Sequence, residues 1–357
     1  MGAMQLDAGE RLLRQLNEWN PEGGVVSVYL AIDHTDRSEG WRIELKDRLA
    51  GIDREVSDRI LGRFGRDAPP PAGRTQIGFV EVGGTKREIW NGFQVDGVAT
   101  EVVAAGRPYL APLMRMLDDG SPVGVVVVSL ERVRVLDWAL GEIEELDGWA
   151  LEITSLDWHE RKAPRRDPAR GTGASASGRD QYAQRLEHNR ERFLKQAGGL
   201  VVSRYGDRPW RRIVVIGERG GPRSVAAGMG PKAELVHEVR HDLIRASVAE
   251  IEGRLAEEVE FLNRSREDAL IAALKEAIGS DRGAALGPQE VLETLEQGRV
   301  RHVIFDGTRD FESYDGVPAS ELMIERALDT GAQVTPVEGL AAQSLGEHDG
   351  AAALLRY

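Results

Sequence analysis

The pattern of apolar and polar positions predicts a chain of mixed strands and helices. Residues 25–32 form a β-branched apolar run, which is typical of a strand. Residues 122–128 are almost continuously apolar, as in a strand that is buried on both faces. Apolar positions recur at helical spacing over residues 41–64, 180–205 and 247–278. Elements in this mixture predict an α/β, or more generally α+β, multidomain fold.

Three domains are predicted from the turns and from the longest helix. They cover residues 1–121, 122–278 and 279–357. The first is an N-terminal α/β domain, and the last has the order helix, strand, helix, strand, strand, which predicts a small α/β/α sandwich. The middle domain contains a basic, Gly-rich loop at 161–180 and a long linking helix at 247–278.

Two local signals mark helix starts in the middle domain. Ser247 and Glu250 fit a capping box, in which each side chain satisfies a free backbone N–H of the other residue. Asp180 has the residue type and position of an N-cap for the helix that follows the basic loop. That helix contains Gly198 and Gly199, which weaken it, and Gly206 is expected to end it.

Composition narrows the classes of function. The 357 residues carry a formal net charge of −13, which argues against indiscriminate binding to nucleic acids or membranes. Cysteine is absent, and this excludes disulfides, thiolate metal sites and cysteine catalysis. No apolar run is long enough to span a bilayer, so we expect a cytoplasmic protein without a membrane partner. Residues 279–357 hold 14 acidic and 6 basic side chains, which favours a protein partner over a phosphate backbone there.

The basic loop is the strongest candidate for a functional segment. Its cationic side chains are Arg161, Lys162, Arg165, Arg166, Arg170 and Arg179. Residues 171–178 are all glycine, alanine, serine or threonine. Arginines contact phosphates, and glycines let a backbone approach a ligand closely. Two interpretations remain open: a disordered surface insertion, or an RNA-contacting arm whose footprint is extended by Arg185 and its neighbours in the following helix.

Other motifs predict neither a metal site nor a cofactor. His237 and His241 would share one face of a helix, but a metal would need a third ligand, and the Glu of an HExxH motif is missing. The glycines of the basic loop are not followed by the Gly-Lys-Ser/Thr that closes a phosphate-binding P-loop.

Several motifs, taken in order, resemble the bacterial and archaeal relatives of the eukaryotic-type class-1 peptide release factor and of Pelota. They are residues 107–113 (RPYLAPL), the helical segment 185–194, the stretch 286–300 and the terminal residues 350–357 (GAAALLRY). The most similar branch is the release-factor-like domain of the ribosome-quality-control peptidyl-tRNA hydrolases. The resemblance extends over nearly the whole chain and implies a ribonuclease-H-like middle domain. It also implies a last domain similar to the kink-turn-binding ribosomal proteins.

The resemblance implies a catalytic loop in the middle domain. In class-1 factors a Gly-Gly-Gln loop orients a water that attacks the ester between peptide and tRNA, while a backbone N–H stabilises the developing charge. This chain has no Gly-Gly-Gln, and Gln181 is the candidate glutamine, with Gly173 as the accompanying glycine. A Gln181 inside the helix could not reach the ribose ester. The RNA-binding residues that the resemblance implies are Arg161, Arg165, Arg166, Arg170, Gly171, Arg179 and Arg185.

The sequence therefore predicts a ribosome-associated protein that hydrolyses the peptidyl-tRNA ester on stalled ribosomes. Hydrolysis is expected to be independent of the codon, because the stop-codon-reading motifs of the family are missing. The alternative is a non-catalytic, Pelota-like factor that binds the ribosomal A site in rescue or hibernation. The expected partners are the ribosome, through rRNA and peptidyl-tRNA, and a translational GTPase that binds the acidic last domain.

Overall fold

The computed structural model describes residues 2–36, 39–65, 68, 71–95, 98–151, 174–279, 283–314 and 316–356. The chain divides into two compact units, each of which is discontinuous in sequence. The first unit comprises Met1–Ser121, Ala139–Glu142 and Leu255–Tyr357. The second comprises Pro122–Trp138 and Ile143–Arg254.

The N-terminal part of the first unit is built on a four-stranded sheet in the order β3-β2-β1-β4. Its elements are α1 (Gly2–Asn17), β1 (Val25–Ala31), α2 (Gly40–Arg48), α3 (Arg54–Arg63), β2 (Thr75–Glu81), β3 (Glu88–Phe93), β4 (Glu101–Ala105) and α4 (Ala111–Asp119). Side chains of β1 alternate between two cores: Val26, Val28 and Leu30 face α2 and α3, whereas Tyr29 packs with Phe79 and with Leu113 of α4. Burial on both faces explains the continuous apolar run in the sequence.

The single helix expected over residues 41–64 is wrong, because two helices occupy this stretch. Gly51 has a φ of 96°, and the side chain of Asp53 caps α3 by accepting the N–H groups of Glu55 and Val56. The apolar spacing continues through the break because Leu45 and Ile60 pack into the same core. Periodicity alone therefore did not reveal the interruption.

The second unit is built on a five-stranded sheet in the order β7-β6-β5-β8-β9. Its elements are β5 (Val123–Val128), β6 (Arg132–Ala139), β7 (Glu142–Ala150), α5 (Ala174–Tyr205), β8 (Arg212–Gly217), α6 (Gly221–Gly228), a 3₁₀ turn (Gly230–Leu235) and β9 (Val236–Val239). β6 lies antiparallel to β5, while β8 lies parallel to both β5 and β9. Antiparallel strands followed by parallel ones are the arrangement that the ribonuclease-H-like resemblance implied.

The helix α7 (Val248–Gly279) has the start that the capping box predicted. The backbone N–H of Ser247 donates to a carboxylate oxygen of Glu250 at 2.7 Å, and the N–H of Glu250 donates to the Ser247 hydroxyl at 3.3 Å. The Ser247 N–H, followed by the Ser247 hydroxyl, lowers the pKa of Glu250. Further along α7, the Arg266 guanidinium pairs with both carboxylate oxygens of Asp118 in α4, at 2.7 Å for Nη1.

The C-terminal part of the first unit is a four-stranded sheet in the order β10-β15-β11-β14. Its elements are β10 (Ala284–Leu286), α8 (Pro288–Glu296), β11 (Val300–Asp306), β12 (Ser313–Tyr314), β13 (Val317–Pro318), α9 (Ala319–Thr330), β14 (Gln333–Val337), α10 (Gly339–Ser344) and β15 (Ala351–Leu355). On one sheet face Phe305 packs with α8 and α9 residues such as Leu295 and Met323; on the other, Ile304 packs with Leu274 of α7 and with α10. Helices on both faces make an α/β/α sandwich.

These elements confirm the mixed α/β, multidomain fold class. Each of the three predicted domains contains one of the three larger sheets, and the first and last contribute to the same compact unit. The division into three domains at residues 121 and 278 stays a prediction.

Candidate functional site

The helix that follows the basic loop begins earlier than the sequence pattern predicted. α5 starts at Ala174, so Asp180 lies inside it and the expected N-cap at Asp180 is wrong. Residues 174–178 lack the apolar periodicity on which the prediction depended, but alanine and serine are compatible with a helix. The predicted end is correct, because α5 ends at Tyr205 and the N–H of Gly206 donates to the Val202 carbonyl at 2.8 Å.

Gly198 in α5 and Gly228 in α6 allow these two helices to pack closely. A Cβ on Gly198 would lie 2.1 Å from the Val225 carbonyl oxygen, and a Cβ on Gly228 would lie 1.9 Å from that of Lys195. Only residues without a side chain permit this approach. The buried face of α5 consists of Leu194, Ala197 and Val201. Gly198, which the sequence predicted to weaken the helix, is therefore required for its packing.

Ion pairs fix α5 against the sheet at two points. Arg190 pairs with Glu131 in the turn between β5 and β6. Near the other end, Arg204 pairs with Asp147 of β7, and the Tyr205 hydroxyl donates to Asp147 at 3.3 Å. Burial acts to raise the pKa of Asp147, but the N–H of Gly148 and the Arg204 guanidinium lower it overall. Asp147 therefore stays ionised and holds the end of the helix.

A buried polar contact follows α5 directly. The indole Nε1 of Trp210 donates to a carboxylate oxygen of Asp137 at 2.6 Å, and Arg208 pairs with the other oxygen. Asp137 and Trp210 are both buried. The contact connects the chain before β8 to β6, so that α5 is positioned at both ends.

The structure describes only some of the residues predicted to form the site. Arg161, Arg165, Arg166, Arg170, Gly171 and Gly173 lie outside the described residues. Arg179 and Gln181 lie on the described backbone of α5, with Gln181 seven residues after the first residue of the helix. Arg185 is exposed on α5. Their assigned roles in RNA binding and catalysis stay predictions.

Two exposed side chains of α5 were not assigned a role from the sequence. His188 and Lys195 are exposed, as is Arg192, and the helical spacing of these residues places them with Arg185 on one side of α5. The signal was present in the sequence, because the four residues are separated by three, four and three positions. Only the location of the buried face shows that this side points away from the sheet.

The histidine pair considered as a metal site has a different local structure from the one predicted. His237 lies in strand β9, and not on a helix with His241. Within the described part of the chain, no cluster of three or more His, Cys, Asp or Glu side chains is arranged to hold a metal ion. No helix among the described residues is long and apolar enough to cross a membrane.

Comparison with protein families identifies the class of the middle segment. Residues 108–259 match the profile of bacterial archaeo-eukaryotic release factor family 10. The match spans the end of the RPYLAPL motif, the ribonuclease-H-like sheet, the basic loop and α5. It confirms the resemblance found in the sequence: over this segment the chain is similar to the bacterial archaeo-eukaryotic release factors. No curated protein matches the chain.

Three solved structures are similar to the chain at low sequence identity. The archaeal termination factor aRF1 is 15% identical with a TM-score of 0.26, covering 99% of this chain and 98% of its own. Pelota from Archaeoglobus fulgidus is 14% identical with a TM-score of 0.35, covering 99% and 92%. Dom34 from S. cerevisiae is 10% identical with a TM-score of 0.47, covering 98% and 93%. These similarities are too low to transfer the role of any residue.

Proposed function

We propose that this protein is a release-factor-like factor that binds the ribosome and acts without reading a codon. The observation that carries the proposal is the family match over residues 108–259, which includes the basic loop and α5. Arg161, Arg165, Arg166 and Arg170 precede α5 in the sequence, and the buried face of α5 packs against its own sheet. Arginines of this kind supply the phosphate contacts that position a protein on RNA.

The first candidate activity is hydrolysis of the peptidyl-tRNA ester on stalled ribosomes. Gln181 would orient the attacking water, and Gly173 would give the backbone its reach toward the ester. Transition-state stabilisation requires donors at hydrogen-bonding distance from the developing oxyanion. This candidate therefore requires the segment around Gln181 to present a free backbone N–H.

The second candidate, ribosome binding without chemistry, is favoured by the position of the helix start. In an α-helix only the first four N–H groups lack a partner within the helix. α5 begins at Ala174, so the N–H of Gln181 is used inside the helix and is not free for an oxyanion. A Pelota-like factor that occupies the A site needs the basic loop but not the glutamine.

The acidic C-terminal segment is proposed as the surface for a protein partner. Residues 279–357 hold 14 acidic and 6 basic side chains. Exposed Glu293 and Glu296 follow one side of α8. A translational GTPase that presents a basic surface is the partner we propose for this segment, while rRNA and peptidyl-tRNA are the partners of the basic loop.

The decisive experiment measures ribosome binding and peptide release in parallel. Stalled ribosome–nascent-chain complexes are incubated with wild type, Gln181→Ala and, as a matched control, Gln184→Ala. Release by wild type and Gln184→Ala but not by Gln181→Ala supports hydrolysis by Gln181. Co-sedimentation without release supports the binding factor. A wild-type protein that neither sediments with ribosomes nor releases peptide refutes both candidates.

A further inference from the structure

Within the first compact unit, polar side chains hold the last turn of α4 on α7. The Arg266 guanidinium of α7 pairs with both carboxylate oxygens of Asp118, at 2.7 Å for Nη1. Asn263, which lies one turn earlier in α7, donates its side-chain N–H to the backbone carbonyl oxygen of Asp119 at 3.1 Å. The end of α4 is therefore bound to α7 both through a side chain and through its backbone.

Carboxyl groups outnumber cations around this contact. Arg115 of α4 lies 3.4 Å from a carboxylate oxygen of Asp119 and also pairs with Glu338, the residue before α10. Glu267 is half-buried and follows Asn263 by four residues, so it lies on the same side of α7 and faces the end of α4. The cluster contains four carboxyl and two guanidinium groups, those of Asp118, Asp119, Glu267, Glu338, Arg115 and Arg266. We call this cluster the clasp.

The excess of carboxyl groups favours a proton on one of them, and Glu267 is the group that takes it. No ion pair or hydrogen bond to another described residue holds its carboxylate, whereas Asp118 is paired on both oxygens. Burial and, to a smaller extent, the charges of Asp119 and Asp118 raise the pKa of Glu267 to about 7, against the guanidinium groups of Arg266 and Arg115. Glu267 therefore gains or loses its proton near neutral pH.

We propose that the clasp is a pH-sensitive switch, which holds the end of α4 on α7 while Glu267 is protonated and loosens as Glu267 ionises. Ser121 ends the first segment of this compact unit, and Leu255, within α7, begins its last segment. Asp119 lies two residues before Ser121, and Asn263 lies eight residues after Leu255. The clasp therefore joins two of the points at which the chain passes from one unit to the other. This inference is independent of the proposed ribosomal function.

The direction of the pH effect follows from the position of the proton. The pKa of Glu267 is higher in the closed clasp than the ordinary value of 4.5 that an open clasp restores. The stability that this group contributes is therefore complete below about pH 4.5 and is lost as the pH rises through about 7. Burial also raises the pKa of Asp119, so its titration acts in the same direction.

The test follows amide hydrogen exchange of the full-length protein between pH 6 and pH 8, expressed as protection factors so that the intrinsic pH dependence of exchange is removed. The reporting amides are that of Gly120, which donates to the Met116 carbonyl at 2.9 Å in the last turn of α4, and those around Asn263 in α7. The variant Glu267→Gln has a similar shape but does not ionise. The matched control is Asp268→Asn, which removes an exposed carboxylate from the next position in α7.

Protection of the reporting amides in wild type is expected to fall about tenfold from pH 6 to pH 8, because the pKa of Glu267 is about 7 in the closed clasp and 4.5 in the open one. Asp268→Asn is expected to show the same fall, and Glu267→Gln is expected to keep its protection over this range. Constant protection in wild type overturns the proposal. A fall in Glu267→Gln as large as that in wild type, or a loss of the pH dependence in Asp268→Asn, also overturns it, because the dependence then does not come from Glu267.

Discussion

The carboxylate of Glu321, in α9, accepts the backbone N–H of Leu110 at 2.7 Å. Its other oxygen accepts the N–H of Ala111, the first residue of α4, at 3.1 Å. Glu321 is buried, and it satisfies two N–H groups that would otherwise lack partners at the start of the helix. The RPYLAPL motif is thus anchored by a residue 211 positions away in sequence. Arg107, which opens the motif, pairs with Glu325, one turn further along α9.

The first prediction concerns the stability that this contact provides. Glu321→Ala leaves two buried N–H groups without an acceptor, and we expect the free energy of unfolding to fall by about 1–3 kcal/mol. Urea denaturation monitored by circular dichroism measures the change. Glu325→Ala is the matched control: it removes a partly exposed ion pair on the same helix and is expected to cost less than about 1 kcal/mol. Equal losses of unfolding free energy in the two variants would show that the contact to α4 stabilises the protein no more than the exposed ion pair does.

The second prediction concerns pH. Burial and, to a smaller extent, the nearby Glu101 raise the pKa of Glu321 to about 8, against the opposing effect of the Leu110 and Ala111 N–H groups. A carboxyl pKa that is higher in the folded than in the unfolded state gives stability that is complete below about pH 4.5 and is lost as the pH rises through about 8. Burial also raises the pKa of Glu101, so this group changes stability in the same direction.

The measurement compares wild type with Glu321→Gln, which has a similar shape but does not ionise. We expect the stability of wild type, relative to that of the variant, to decline between about pH 5 and pH 9. A relative stability that stays constant or rises over this range would mean that the two N–H bonds outweigh burial and hold the carboxylate ionised throughout.

The third prediction concerns the crossing of α5 and α6. Gly228→Ala would put a Cβ 1.9 Å from the Lys195 carbonyl oxygen, and the resulting overpacking is expected to cost about 1–3 kcal/mol, although alanine is the better helix former. Gly253→Ala is the control, since Gly253 lies in α7 with no atom within 4 Å of an added Cβ. It is expected to stabilise the protein by up to about 1 kcal/mol. Thermal unfolding of the two variants distinguishes the effect of packing between α5 and α6 from the helix propensity of alanine. A higher melting temperature for Gly228→Ala would contradict the close crossing.

The fourth prediction concerns the buried carboxylate of Asp137. Asp137→Ala leaves the indole N–H of Trp210 buried without an acceptor and removes the partner of Arg208, so a loss of about 1–3 kcal/mol is expected. Glu260→Ala removes an exposed ion pair with Arg264 and is expected to change stability by less than about 0.5 kcal/mol. Urea denaturation measures both. A loss no greater in Asp137→Ala than in Glu260→Ala would mean that the Trp210 contact is replaced by water.

The sequence predicted the elements that depend on local pattern and missed those that depend on distant contacts. The buried strands β1 and β5 follow from apolar runs, and the start of α7 follows from the capping box. The break between α2 and α3 was missed because both helices keep the same apolar spacing. The role of Glu321 was not predictable, because nothing local relates it to Leu110.

The candidate site was predictable to a lesser degree than the fold. The basic loop and its helix are evident from composition, and the family match includes both. The face of α5 that is exposed depends on which face is buried, and sequence composition alone does not distinguish Arg190 from Arg192. The structure distinguishes them, because Arg190 pairs with Glu131 whereas Arg192 is exposed.

The fifth prediction concerns the start of α5, because the two candidate functions differ there. In a helix that begins at Ala174, backbone N–H groups from Gly178 onward donate to carbonyls four residues earlier. Amide hydrogen exchange of residues 178–183 is therefore expected to be at least about tenfold slower than in an unstructured peptide, with stronger protection in the buried turns around Leu194.

The contradicting result is exchange of residues 178–183 at the unstructured rate with Leu194 still protected. It would move the helix start to Asp180 and leave the N–H of Gln181 free. Release activity that depends on Gln181 is compatible only with unprotected amides in residues 178–183, because an N–H already bonded within a helix stabilises no oxyanion. Protected amides in this segment, together with ribosome co-sedimentation, would instead favour a factor that binds the ribosome without chemistry.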